Sequence, residues 1–290
     1  MKFIYLVFVL LVTTCSSTGG NESKNNIEEL LKTGKDIYFE DKVFNEKINL
    51  TEILKANKIN PATSQVTINS SITFINCTFN DELTAYSSNE DGTSVLSIFN
   101  SNVSFVGCTF EKPVSFRASS IMGRANFSNS FFNEEVSFEE CSFFQKANFS
   151  ECSFHGDARF QNANFMQKAN FYKAEFEQTA YFQAVTFNSE VQFSVAKFIG
   201  YADFSLISSR QNFLANYAEF ADQAVFNNSY FYGRTDFLQV SFSSCEFKKC
   251  YFFGEFRFNN SKATKSISFK DSSFWPKIPD LSFFDTITEP

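Results

Sequence analysis

The sequence predicts an all-β solenoid, a chain of very short strands and turns wound many times in one register. Three observations carry this reading. Between residues 127 and 204 a phenylalanine recurs at steps that alternate five and six residues without a miss. Two residues before each stands a small or β-branched residue, as in Ala125, Ser130, Val136, Cys141 and Ala147. Phe makes up 42 of 290 residues against 10 Gly and 5 Pro, so one recurring slot holds most of the large apolar side chains.

Self-similarity at a fixed period marks an architecture whose units bury their apolar face only against neighbouring units. The period is neither about 3.6 nor 7, which excludes an amphipathic helix and a coiled coil. An ordinary strand would alternate over many positions. Here the alternation lasts one beat, small-x-Phe, and polar residues follow. Each unit is therefore a minimal strand and a turn, with Phe and the residue two before it facing inward together.

Units such as Ala125-Asn126-Phe127, Ala147-Asn148-Phe149, Ala169-Asn170-Phe171 and Ala202-Asp203-Phe204 resemble the pentapeptide-repeat family, in the form that alternates five- and six-residue units. The resemblance covers roughly residues 74–274. It implies a right-handed quadrilateral β-helix with four short faces per coil. Four units make 22 residues, and the sequence offers an internal check. Phe127, Phe149, Phe171 and Phe193 fall in one stack, Phe143, Phe165 and Phe187 in another. Asn126, Asn148, Asn170 and Gln192 fall in one column, and coils about 4.8 Å apart let such amides hydrogen-bond along the axis.

The elements follow in chain order. Residues 1–14 hold Lys2 and an apolar run from Phe3 to Val12, too short to span a bilayer and typical of a secretory signal. Leu11-Val12-Thr13-Thr14-Cys15 resembles a lipoprotein signal, which implies lipid on Cys15 and anchoring at the cell envelope; secretion without an anchor is the alternative. Residues 15–25 read as a polar tether, and 26–64 as an N-terminal cap with a short helix ended by Gly34 and irregular strands after it. The β-helix is expected over 65–275, with a loop at 80–94 around Asp91-Gly92 and a second break before Phe220, where Phe213 is out of step. Residues 276–290 form a tail over the open end.

Composition and motifs exclude several functions. A net charge of −7 argues against direct nucleic-acid binding. Some pentapeptide-repeat proteins imitate DNA with an acidic ladder, but the outward column Ser137, Arg159, Tyr181, Asp203 is no such ladder. Cys77, Cys108, Cys141, Cys152, Cys245 and Cys250 all lie two before a Phe, so they read as small core residues with free thiols rather than disulfide or metal partners. The single His155 falls in a turn, and Glu134-Glu135 and Glu139-Glu140 read as solvated turn charges. No catalytic residue, cofactor site or metal site is expected.

One outward feature remains. Phe231, Phe252 and Phe274 stack by the four-unit count; Tyr232, Phe253 and Trp275 follow them, and Tyr230 and Tyr251 precede the first two. An exposed aromatic stripe suits a protein partner or a polysaccharide. The expectation is an exported, lipid-anchored, non-catalytic structural or binding module; the alternative is a carbohydrate-active or carbohydrate-binding β-helix.

Overall fold

The computed structural model of the chain describes residues 20–275 and the backbone of 287–288. The signal and Cys15, with most of the C-terminal tail, lie outside the described residues. Parallel ladders dominate. One 10-stranded sheet begins at Ile37–Glu40 and runs through Ile72–Ile75, Val103–Val106, Ala125–Asn126 and onward to Phe256–Arg257. We call it face 1. Faces 2 and 3 follow along each coil, for example at Ser153–Phe154 and Ala158–Arg159, and face 4 at Asn164–Phe165. Each strand pairs with the strand one coil on, so Ala147 meets Ala169 and Phe143 meets Phe165. The fold is thus an all-β solenoid with four short faces per coil.

The core is a set of phenylalanine columns. Phe165 is fully buried, its ring 4.6 Å from Phe143 and 5.3 Å from Phe187, nearly parallel to both. Rings on adjoining columns meet edge to face, as at Phe149 and Phe160, 5.3 Å apart at 85°. Offset and perpendicular contacts are the two favourable aromatic geometries, and this core uses both at once. The amide column also forms: Asn148 Nδ2 donates to Asn126 Oδ1 at 3.1 Å, and Asn170 Nδ2 to Asn148 Oδ1 at 2.9 Å.

Four departures from the sequence reading have physical causes. The parallel ladder reaches back to Ile37, into the segment read as a cap, because Ile37, Phe39 and Phe44 repeat the inward pattern 35 residues before Ile72, Phe74 and Phe79. Hairpins hide this register: Asn57–Asn60 against Thr63–Ile68 lengthens the first coil, and Ser87–Ser88 against Ser94–Phe99 lengthens the second. The loop at 80–94 is accordingly smaller than expected, since Leu83 and Ala85 are buried in core slots. The tether is also shorter, because Gly20–Glu22 adds a parallel strand beside Lys42–Phe44.

The supposed break at Phe213 is no break. Phe213 pairs with Val191, and Ser209 with Phe187, one coil below. Large and small residues have exchanged places: Phe213 stands in a small slot with Ala215 in the Phe slot, and Ile207 stands before Ser209. All four are buried.

The end below the first coil is covered by the helix Lys24–Lys32. Ser23 accepts from Asn25 N–H at its start, and Gly34 ends it at φ 69°. There Gly34 N–H donates to Leu31 and Lys35 N–H to Leu30, which closes the last turn. Ile27 and Leu31, one turn apart, join the core.

Every second turn is tight. Cys141 N–H donates to Phe138 C=O at 3.1 Å across Glu140, whose φ is 59°. That is the arrangement of a type II turn, which favours Gly or Asn at the left-handed position. Here Val195, Leu206 and Tyr217 also occupy it, at a cost of roughly 1–2 kcal/mol each that the ladders on both sides must offset.

Hydroxyls and thiols in the small slots reinforce these turns. Ser130 Oγ donates to Phe105 C=O at 2.9 Å and accepts from Cys108 N–H at 3.0 Å, bridging the turn of the coil below. Ser229 does the same to Phe204 and Ile207. The thiols of Cys152 and Cys250 donate to Phe127 and Phe226, each at 2.9 Å. The six described cysteines are free and buried. Burial pushes the thiols of Cys108, Cys152 and Cys250 up to about 12, and those of Cys141 and Cys245 well above their ordinary value. Since the thiolate is the reactive form, all five should resist iodoacetamide in the native protein and react fully in denaturant. Labelling of any one at the rate of a free peptide thiol, read by mass spectrometry, would contradict its placement.

Candidate functional site

The outward positions of face 4 change character along the chain. Ser142, Asn164, Thr186 and Ser208 occupy them in the middle coils, then Tyr230 and Tyr251. Two residues on in each unit, after the inward Phe, the chain turns the corner from face 4 to face 1. There stand Tyr232, Phe253 and Trp275, whose N–H groups continue the ladder to Ser209, Phe231 and Phe252. The rings are close: Tyr230 and Tyr251 lie 5.0 Å apart at 9°, Tyr232 and Phe253 5.1 Å apart at 12°. Rings this near and this parallel overlap like shingles, so they present edges and hydroxyls more than broad faces. All five side chains are exposed, Trp275 at 70% the most. A shallow cleft of about 390 Å³ lies at Tyr251, Phe253, Ser273 and Trp275, with an almost wholly apolar lining.

The same corner carries an apolar side chain in earlier coils, which the sequence reading missed. Met122, Phe144 and Met166 stand there, each about two-fifths exposed. Asn188 and Arg210 occupy the two coils between these and Tyr232. The signal was present as the residue after each inward residue of the fourth stack (Ile121, Phe143 and Phe165), but these three alternate Met with Phe among polar neighbours and do not stand out as a motif. Most other exposed apolar residues, such as Tyr38, Ile59 and Ile199, lie singly, as is normal for a surface.

The paired turn carboxylates meet basic residues of neighbouring coils. Glu134 meets Lys112 at 2.7 Å, Glu135 meets Arg159 at 2.8 Å, and Glu139 and Glu140 both meet Arg117. His155 Nδ1 faces Asn133 Oδ1 at 2.9 Å and its Nε2 faces Glu177 at 3.4 Å, in a surface column where Asn133 also bonds Glu111 one coil before. Among the described residues no group of three or more His, Cys, Asp and Glu is placed to hold a metal, and no helix is long and apolar enough to cross a membrane.

Among the described residues, two carboxylates are buried on outward positions. Asp236 is held by Arg257 Nη1 at 3.0 Å and Arg234 Nε at 3.7 Å, and Asp203 accepts from Ser205 N–H at 2.9 Å. Each is satisfied by its neighbours, so neither is free to bind a ligand.

A sequence profile described as Pentapeptide repeats (9 copies) matches residues 96–142 and 138–186. No curated protein and no solved structure matches the chain.

Proposed function

Because the repeat segment of this chain belongs to the pentapeptide-repeat family, whose fold presents regularly spaced side chains on flat faces, we propose that the protein is a non-catalytic binding module. It is exported, held at the cell envelope by lipid on Cys15, and binds through Tyr230, Tyr232, Tyr251, Phe253 and Trp275. The observation that carries this reading is the exposed stripe itself. Earlier coils fill the same outward positions of face 4 with Ser, Asn or Thr, so the fold does not require rings there. Exposed aromatics in a contiguous patch are a common mark of an interaction surface. Overlapping rings offer a sugar few free faces to stack on, which favours a protein surface over a polysaccharide as partner.

One experiment addresses both halves. In fractionated cells the wild-type protein should sediment with the membrane, and Cys15→Ala should move it to the soluble exported fraction. One acyl chain binds a bilayer only marginally, so stable retention needs the several chains of a lipoprotein terminus. An intact mass that starts at another, unmodified residue would remove the anchor. On the Cys15→Ala background, adding Trp275→Ala should weaken rebinding to isolated envelopes severalfold, in line with about 0.5–1.5 kcal/mol per aromatic contact. Unchanged rebinding would discard the stripe as the binding face, and a large fall in melting temperature would reassign Trp275 to the fold.

A further inference from the structure

We propose that the partner of the aromatic stripe is a second copy of this chain, docked antiparallel about a two-fold axis through the corner between faces 4 and 1. The proposal rests on the stripe being an interaction face and adds its occupant. Between Met122 and Trp275 the corner column reads three apolar residues, two polar, three apolar. Asn69 and Asn100 precede this stretch in the same column, so it is the eight-coil stretch from Met122 to Trp275 that reads the same in either direction. A two-fold axis lying in the contact plane, perpendicular to the helix and between the coils of Asn188 and Arg210, superposes this pattern on itself. It sets Met166 against the partner's Tyr232, Phe144 against the partner's Phe253 and Met122 against the partner's Trp275. Methionine beside an aromatic ring is a favourable contact, and a thioether adapts to ring edges. A closed two-fold contact of this kind is the commonest form of self-association.

Charge selects the antiparallel arrangement over the parallel one. Arg210 is the only cation in the column and is exposed, lining a shallow hollow with Ser208 and Tyr232. In a parallel dimer each residue would meet its own copy, and Arg210 would face Arg210. In the antiparallel dimer it faces Asn188. The Asn188 Nδ2 already donates to Asn164 Oδ1 at 2.6 Å, which leaves its Oδ1 as an acceptor for the guanidinium. Two residues past the corner, Lys146 comes opposite the partner's Glu255. Lys168 comes opposite the partner's Arg234, but each is neutralised within its own chain, by Glu190 at 2.8 Å and Asp236 at 3.7 Å.

The size of the strip sets the strength. Eight coils span about 34 Å, and a strip about 12–15 Å wide gives roughly 400–500 Å² on each copy. That is the low end for specific interfaces, so the dimer should be micromolar rather than permanent.

The test is sedimentation equilibrium of the exported chain carrying Cys15→Ala and without residues 1–14, between about 5 and about 200 μM, a range that brackets the affinity such an area supports. The average mass should rise from that of one exported chain toward twice that value. Met166→Lys, at an exposed position far from the stripe, should weaken the dimer at least about tenfold, the cost of setting a bare charge against an apolar face. Asn188→Glu should strengthen it severalfold, because the new carboxylate meets the partner's Arg210. A double variant with Met166→Cys and Tyr232→Cys should form an intermolecular disulfide on mild oxidation. A chain that stays monomeric at the highest concentration overturns the proposal, as does a dimer indifferent to Met166→Lys. Weakening by Asn188→Glu would indicate a different packing and overturns the antiparallel assignment. None of these outcomes touches rebinding to envelopes by the Trp275→Ala protein, so failure of the dimer and failure of the binding module can be told apart.

Discussion

Phe165→Asp is expected to abolish the fold, while Gln145→Asp leaves the melting temperature within about 2 °C, as for an ordinary surface change. Phe165 is fully buried between Phe143 and Phe187, with Phe171 edge-on at 6.1 Å. Removing a buried Phe costs about 3–5 kcal/mol, and burying a carboxylate with no partner adds several more. The sum reaches the whole stability of a typical domain, about 5–15 kcal/mol. The site lies mid-solenoid, so the coils on each side lose their neighbour as well; in a solenoid each unit leans only on the next. Gln145 is an exposed corner residue. The measurement is soluble yield and the circular-dichroism melt of both variants. Similar melts would mean that the inward register assigned to Phe165 is wrong.

The regular part of this fold was legible because one interaction repeats. Wherever Phe follows a small residue at five- and six-residue steps, strand, turn and column follow together, down to the bonds between Asn126, Asn148 and Asn170. Legibility failed where the same physics used different residues. The first coil is hidden because hairpins stretch its length and because Ile37, Ile48 and Leu50 share the inward slots with Phe. The left-handed turn residues could not be read, since Glu140, Lys173 and Val195 carry no turn signal of their own and are held in place by ladders on both sides. The candidate site was half legible. Five consecutive-coil aromatics stand out in a polar surface, but Met122, Phe144 and Met166 look like ordinary turn residues until the coils place them in one column.

Exchanging the two inward residues of one unit should be far less harmful than changing either alone, and this is the second large effect expected. The precedent is the unit of Phe213 and Ala215. Phe213 comes from the small slot, paired with Val191, yet its ring lies 5.5 Å from Phe193 below and 5.7 Å from Phe237 above, both of which come from the Phe slot. The column is kept although the side chain reaches it from a position two residues earlier. What each unit must supply is therefore one ring and one small residue, and the volume of the pair matters more than their order. The matching experiment uses Ala169 and Phe171, both fully buried in a regular coil. Phe171→Ala alone leaves a cavity and should cost about 3–5 kcal/mol. Ala169→Phe alone overpacks the coil and should cost about 1–3 kcal/mol or more. The double variant restores the volume, so its cost should fall short of the sum by at least about 2 kcal/mol, a strong coupling for a contacting pair. Denaturant melts of the four proteins measure it. Additive losses would mean that the exchange at Phe213 depends on its neighbour, the similarly exchanged pair Ile207 and Ser209, rather than on volume within one unit. That outcome would make register, and not packing volume, the property that each repeat has to preserve.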